Sequence, residues 1–159
     1  VGRLVLRVCG YRSDVLDAQS DAICNALQLT NFWQDIAIDW AKGRVYLPEE
    51  LRAEAGASEE DLAAGRWTPA WERAVAEAVA RTRALFAAGK PLPDAVSGRL
   101  RYELRATWLG GVRILDKLER HRFDALHYRP ALRWSDGLAV FAGTVRWRAG
   151  ASDTLRQAR

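Results

Sequence analysis

The chain has 159 residues, of which 49% are apolar and 28% charged, a composition that is typical of one globular domain and excludes a disordered chain. No apolar stretch approaches the roughly 18 residues that a transmembrane helix needs, and two cysteines are too few for a disulfide framework. The formal charge of +4 favours anionic partners but does not choose among nucleic acid, acidic lipid and diphosphate.

The predicted elements are helices throughout, because no segment sustains the alternation that is typical of a β-strand. The chain contains no methionine and begins within an apolar pattern, so we expect it to be part of a longer product. No glycine or proline occurs between Asp14 and Trp40, and Gly43 and Pro48 follow, as expected after a helix end. One long helix is therefore predicted for the segment 14–40.

Several further helices are predicted downstream. Ser58 and Asp61 fit a capping box ahead of a short helix that ends near Ala64. The other predicted helices run from Thr68 and Pro69 to about Gly89, from Asp94 to about His121, and from Ser135 onward. The sequence thus predicts an all-α bundle.

A polar stripe lies along the long helix and consists of Gln28, Asn31, Asp35 and Asp39. At about 100° per residue, these four side chains fall within an arc of about 80°. Apolar residues flank the stripe on both sides, from which we predict that its carboxylates face inward. The flanking residues are Leu27 and Ile38 on one side and Phe32 and Ile36 on the other, with Thr30, Gln34 and Ala37 pointing the opposite way.

The two acids of the polar stripe favour a bound cation. Carboxylates four residues apart repel each other, and burying an unpaired polar group costs several kcal/mol on typical scales. Carboxylate and amide oxygens, without sulfur or imidazole, suit Mg²⁺, which commonly takes further ligands from water and a phosphate-bearing substrate. The spacing alone is equally compatible with solvated surface acids or with aspartates that pair with arginines in the core.

Residues 26–48, with the sequence ALQLTNFWQDIAIDWAKGRVYLP, resemble the second aspartate-rich motif of the squalene and phytoene synthase family. In that family Gln, Thr-Asn, Asp-x-x-x-Asp and Gly-Arg-x-Tyr-Leu-Pro recur in this order. The segments VGRLVLRVCG and LRATWLGGVRILDKLE also look like family segments. The resemblance implies an isoprenoid synthase-type helical bundle, of which residues 1–159 would be the C-terminal part.

By that resemblance, Asn31, Asp35 and Asp39 would hold Mg²⁺ against a substrate diphosphate, with Asp35 and Asp39 as the catalytic acids. Gln28 would contact substrate, and Arg44 and Tyr46 match the family's loop after the helix. For Arg44, a structural role in bonding the last helix carbonyls is an equal alternative. The family's first aspartate-rich motif, on an earlier helix, does not occur in this sequence, so the chain alone is expected to bind Mg²⁺-diphosphate weakly and to catalyse little.

Two positions depart from the family pattern. Gln34 stands where most members carry Arg, and the run Phe32-Trp33-Gln34 looks like the hopanoid-pathway branch whose members convert presqualene diphosphate to hydroxysqualene. Near Gly111 some members place an aromatic residue, for which Trp108 is a substitute, although packing is the expected role of Trp108.

The leading functional prediction is conversion of presqualene diphosphate to hydroxysqualene with release of diphosphate. The nearest alternative joins two prenyl diphosphates, such as farnesyl diphosphate, head to head, as presqualene diphosphate, squalene or phytoene synthases do. A different class is a non-catalytic helical module that binds lipid diphosphate or a partner. No recognised nucleic-acid motif occurs, and nucleic-acid binding is not predicted.

A cytoplasmic location is predicted, because Cys9 and Cys24 are expected to be reduced. In the last helix, apolar residues recur with helical spacing, and arginines flank it at both ends. These apolar residues are Trp134, Leu138, Phe141 and Val145. We expect them to be core, and the alternative is a peripheral contact with the inner face of a membrane.

Overall fold

The computed structural model describes residues 1–148, and within that range it is all-helical, as predicted. The last eleven positions of the predicted domain, 149–159, lie outside the described residues. The helices are α1 (Gly2–Val8), α2 (Asp14–Gln34), α3 (Ile36–Trp40), α4 (Glu49–Ala55), α5 (Glu59–Ala63), α6 (Pro69–Gly89), α7 (Leu92–Ala95), α8 (Gly98–Arg120) and α9 (Trp134–Val145).

The predicted helix 14–40 is two helices, α2 and α3, which are separated at Asp35. Asp35 has φ −107° and ψ 17°, outside the α-helical region. Backbone hydrogen bonds still cross this residue, since its N–H donates to the Asn31 carbonyl over 3.0 Å and its carbonyl accepts from the N–H of Asp39 over 2.8 Å. The prediction of one helix is wrong at this position because aspartate is a weak helix former and Asp35 bonds a residue far along the chain.

The end of α3 is the predicted glycine stop. Gly43 has φ +70°, its N–H donates to the Trp40 carbonyl, and the N–H of Arg44 donates to the Asp39 carbonyl. These two bonds form a Schellman turn, in which a left-handed residue is needed. The backbone amide of Arg44, and not its side chain, therefore satisfies the last carbonyls of the helix.

The main core lies between α2, α6 and α8. The buried Trp33 on α2 donates its indole N–H to the Thr82 hydroxyl on α6 over 2.8 Å, and that hydroxyl donates to the Ala78 carbonyl. At Gly89 the two helices approach so closely that a Cβ atom would lie 2.4 Å from Cγ1 of Ile23. The hydrogen bond between Trp33 and Thr82 and the close contact at Gly89 fix how α6 lies along α2.

The short helices between α3 and α6 are only partly as predicted. Thr68 caps α6, because its hydroxyl accepts from the N–H of Trp71 over 3.5 Å, and Pro69 occupies the first turn. Ser58 precedes α5, but the predicted capping box is wrong, because its side chain makes no cap bond and Asp61 pairs with Arg66. Tertiary contacts at Ser58 involve its carbonyl, which accepts from the buried indole of Trp71.

The last helix, α9, has the predicted period but the opposite orientation. Trp134, Leu138, Phe141 and Val145 are 82%, 63%, 69% and 66% exposed, so the expectation that they are core is wrong. Asp136 is buried instead, because its carboxylate binds Arg113 over 2.6 Å and Lys117 over 2.5 Å, both on α8. Within the described range, no helix is long and apolar enough to cross a membrane.

Candidate functional site

The polar stripe lies on the side of α2 and α3 that faces away from the core. The buried residues of α2 include Ile23, Ala26, Thr30 and Trp33, which project to the opposite side. Gln28 and Asn31 are exposed, and Asp35 and Asp39 are half-buried. The prediction that the carboxylates face inward is therefore wrong for this chain, because the apolar flanks are only partly covered: Ile38, for example, is 38% exposed.

An open groove of about 520 Å³ runs beside the stripe, between α2 and α8. Its lining comes from α2, from α8 and from the segment before α9. The lining residues are Leu27, Thr30, Asn31, Gln34, Ala106, Thr107, Gly110, Gly111, Ile114, Ala131 and Leu132. Asn31 thus belongs both to the stripe and to the groove, and Gln34, predicted to point away, faces the same groove.

Gly111 allows α8 to pack closely behind the groove. A Cβ atom at this position would lie 2.5 Å from Cζ of Phe86 and 2.9 Å from Cδ2 of Leu27. An aromatic residue at position 111 would not fit this packing. Trp108 has the expected packing role, since its indole N–H donates to the Phe86 carbonyl over 2.7 Å and its ring meets the Phe86 ring edge-on.

Asp35 pairs with Arg129 at the rim of the groove. Nε of Arg129 donates to Oδ1 of Asp35 over 2.7 Å, and the two side chains are 50% and 29% exposed. The neighbouring Gln34 donates its amide N–H to the Pro130 carbonyl over 2.6 Å. Two consecutive residues of the motif therefore hold two consecutive residues of the segment after α8.

Asp39, Arg44 and Tyr46 lie together around a narrow crevice at the other end of the stripe. The Tyr46 ring stacks on Phe32, with centroids 4.2 Å apart and planes 12° from parallel. Within residues 1–148, the side chains of Asp39 and Arg44 make no ion pair or hydrogen bond, so the exposed Arg44 guanidinium can bind an anion. Gln28 lies outside both concavities on the exposed face of α2.

The donor chemistry of the stripe fits Mg²⁺ only as part of a larger set. Asn31, Asp35 and Asp39 offer amide and carboxylate oxygens, which are hard ligands. Over the part of the chain that the structure describes, no three acidic, histidine or cysteine side chains gather into a metal-binding group. Mg²⁺ at this stripe would therefore need further ligands from water, from phosphate oxygens or from residues beyond this chain.

The segment that carries Arg129 is anchored to α8 and α9. Lys117 donates to the Ala131 carbonyl over 2.8 Å, and the N–H of Arg133 donates to the Asp136 carboxylate over 2.7 Å. Hydrogen bonds from Arg113, from the Arg133 amide and from Lys117 hold the pKa of Asp136 well below its ordinary value. This ion-pair network fixes the backbone that borders the groove.

Arg129 is the functional candidate that the sequence patterns did not indicate. It lies 94 positions after Asp35, outside any recognised spacing. Several other arginines lie nearby in the sequence, and no pattern sets Arg129 apart from them. Only the Pro at position 130, which limits the backbone beside it, marks the segment as structured.

Residues 1–136 match the family described as Squalene/phytoene synthase. The chain is 35% identical over 142 residues to phytoene synthase from Thermus thermophilus, covering 88% of this chain and 48% of that protein. It is 39% identical over 93 residues to hydroxysqualene synthase from Rhodopseudomonas palustris, covering 58% and 32%. The crystal structure of squalene synthase HpnC from Alicyclobacillus acidocaldarius matches with a TM-score of 0.73 and 40% identity over 77% of this chain and 46% of that one. The chain spans half or less of the length of these relatives.

Proposed function

We propose a function on one premise: this chain belongs to the squalene/phytoene synthase family. The chain forms the C-terminal part of a prenyl-diphosphate synthase domain, whose other part supplies the remaining ligands of a Mg²⁺-diphosphate site. The observation that carries this proposal is the solvent-accessible polar stripe, with two exposed and two half-buried residues, beside an open groove, since the two together offer metal ligands next to space for an isoprenoid chain. Because the chain spans half or less of its relatives, we assign the activity to the longer protein.

Each residue of the site has a distinct role in this proposal. Asn31, Asp35 and Asp39 hold Mg²⁺, and the exposed guanidinium of Arg44 binds a diphosphate oxygen. Tyr46, fixed by its stacking on Phe32, borders the same end of the site. Gln28, on the exposed face, contacts the substrate. When bound, Mg²⁺ neutralises the diphosphate so that it can leave with the electron pair of the C–O bond.

The groove next to the stripe holds the prenyl chain against its apolar lining residues, such as Leu27, Ile114 and Leu132. The hydroxyl of Thr30 is buried and donates to the Ala26 carbonyl, so it does not offer a proton or a nucleophile to the groove. The acids of the stripe act as ligands, not as nucleophiles.

The reaction that we propose is conversion of presqualene diphosphate to hydroxysqualene. The C–O bond to diphosphate breaks and leaves a cyclopropylcarbinyl cation, which rearranges. A water oxygen then bonds to carbon as a cyclopropane C–C bond opens, and the water's proton passes to solvent. The 39% and 40% identities to hydroxysqualene synthase and to squalene synthase HpnC support this choice, as does the Phe32-Trp33-Gln34 run. Head-to-head condensation of two prenyl diphosphates, supported by the longer match to phytoene synthase, is the second candidate.

Product analysis of the full-length protein tests this assignment. The protein is incubated with Mg²⁺ and either presqualene diphosphate or farnesyl diphosphate, and the lipid products are identified by mass spectrometry. We expect hydroxysqualene from presqualene diphosphate. Consumption of farnesyl diphosphate without turnover of presqualene diphosphate would establish the condensation instead.

Substitution of the stripe separates catalysis from simple binding. The variant Asp35→Asn should lose diphosphate release by at least about 100-fold, because it removes a charged metal ligand, while its thermal midpoint stays within about 2 °C of the wild type. The control is Asp14→Asn, an exposed acid at the start of the same helix, which should keep full activity. Binding of diphosphate without any turnover by the wild type would favour a non-catalytic module.

Helix α9 supports a peripheral membrane contact at the cytoplasmic inner face. Its exposed apolar stripe, Trp134, Leu138, Phe141 and Val145, has Arg133 before it and the exposed Arg146 and Arg148 after it. The acid of this helix, Asp136, is buried against Arg113 and Lys117, so it does not repel anionic lipid headgroups. An apolar face with arginines at both ends is complementary to an anionic lipid surface.

A further inference from the structure

The pair of Asp35 and Arg129 places a cation on the carboxylate that the proposed function assigns to Mg²⁺. The pair forms through a single hydrogen bond from Nε, with half of the Arg129 side chain exposed. A bidentate pair would use two guanidinium N–H groups and would be stronger. Exposed single-contact pairs are weak, so this one can open when a competing cation or anion arrives.

The backbone around Arg129 is held firmly although its side chain is not. Gln34 binds the Pro130 carbonyl over 2.6 Å, Lys117 binds the Ala131 carbonyl over 2.8 Å, and Pro130 is buried. The long aliphatic stem of arginine allows the guanidinium to swing while the backbone stays in place. Arg129 therefore remains within reach of the stripe after it leaves Asp35.

Mg²⁺ and Arg129 compete for the same carboxylate, that of Asp35. A divalent ion bound to this carboxylate would repel the guanidinium and weaken its hydrogen bond to Oδ1, and a diphosphate bound to that ion would present phosphate oxygens next to the released group. Guanidinium N–H groups match the geometry of phosphate oxygens and bind them in a forked manner.

We propose that Arg129 exchanges partners during binding: it covers Asp35 before the metal arrives and then binds the diphosphate that the metal brings. This inference rests on the proposed function, because it needs a Mg²⁺-diphosphate at the stripe. It assigns two opposite effects to one side chain. Arg129 weakens binding of the metal alone and strengthens binding of the metal with diphosphate.

The test measures both effects on the full-length protein without turnover. Free Mn²⁺ is followed by electron paramagnetic resonance during a titration, and binding of inorganic pyrophosphate in the presence of Mg²⁺ is followed by calorimetry. In Arg129→Gln, Mn²⁺ alone should bind about 1.5- to 5-fold more tightly, as expected for removal of an exposed ion pair. Pyrophosphate should bind about 10- to 100-fold more weakly, as expected for loss of a charged hydrogen bond. The matched control is Arg120→Gln, an exposed arginine that makes no ion pair within residues 1–148, and it should change neither value.

The outcomes separate this inference from the proposed function. Equal pyrophosphate affinity for the wild type and Arg129→Gln, with loss of binding in Asp35→Asn, overturns the exchange and leaves the proposed site in place. Weaker binding of both Mn²⁺ and pyrophosphate in Arg129→Gln also overturns it, since Arg129 would then only support the structure. Failure of the wild type to bind pyrophosphate overturns both. If Arg129→Gln does not fold, the measurements are made on Arg129→Lys, which keeps the positive charge but lacks the planar guanidinium. This variant should bind Mn²⁺ like the wild type and pyrophosphate with intermediate affinity.

Discussion

The close packing at Gly111 predicts a large difference between two neighbouring glycines of α8. A Cβ atom at Gly111 would lie 2.5 Å from Cζ of Phe86, a distance that real Cβ atoms essentially never show, whereas at Gly110 the nearest atom, from Leu132, is at an ordinary 3.5 Å. Both Gly→Ala changes gain about 1 kcal/mol in helix propensity. Only the change at Gly111 also overpacks the core, which costs about 1–3 kcal/mol.

We therefore expect Gly111→Ala to be less stable than Gly110→Ala by about 1–3 kcal/mol, which corresponds to a thermal midpoint lower by about 2–6 °C. The midpoints are measured on the full-length protein by circular dichroism. Phe86→Leu removes the ring atoms nearest the new methyl group, so Gly111→Ala with Phe86→Leu should lose about 0.5–3 kcal/mol less than the sum of the single changes. Equal midpoints for the two Gly→Ala variants, or strict additivity in the double variant, would refute the packing that places α8 against α2 and α6.

Two further predictions concern α9. The low pKa of Asp136 means that its contribution to stability is present above the unfolded value near pH 4 and is lost as the pH falls toward the folded value. The protection factors of the α9 amides, which remove the intrinsic pH dependence of exchange, should therefore fall in the wild type as the pH drops below about 4 but should already be low at pH 6 in Asp136→Asn; wild-type protection factors that are independent of pH would contradict this. In vesicle sedimentation with anionic phosphatidylglycerol, Leu138→Glu should reduce binding of the full-length protein at least about 5-fold, because it places a like charge against the lipid. Val15→Glu, at an exposed apolar residue of α2, is the control, and equal binding by both variants would exclude α9 as the contact surface.

The sequence predicted which residues share a face, but not what that face meets. Gln28, Asn31, Asp35 and Asp39 do lie on one side of α2 and α3, because helical periodicity is a local property. Whether that side is buried depends on neighbours that are distant in the chain. The buried side of α2 is fixed by contacts such as Trp33 with Thr82, which are 49 positions apart.

The same limit explains why α9 turns its apolar face toward solvent. Its apolar spacing is regular, and a hydrophobic face normally packs inward. Arg113 and Lys117 on α8 instead attract Asp136, and a carboxylate with two cationic partners and a backbone N–H is well satisfied when buried. Sequence patterns identify a helix and its faces, but long-range charge pairing decided which face of α9 turns inward.

The contact between α2 and α6 separates the parts of this chain that evolution can change from those that it must keep. Ile23 over Gly89 and Trp33 against Thr82 are ten residues apart on α2, or about 15 Å, and both lie on the side opposite the polar stripe. Substitution of a residue that lines the groove or belongs to the stripe therefore leaves these two contacts between α2 and α6 intact. Because α2 and α6 are held together by contacts on the side opposite the groove, single substitutions on the groove side can change substrate preference. Such substitutions do not first require a stabilising change elsewhere. Directed evolution of product specificity should accordingly tolerate changes at the groove-lining Ala106 and Thr107 far better than at Ile23 or Trp33.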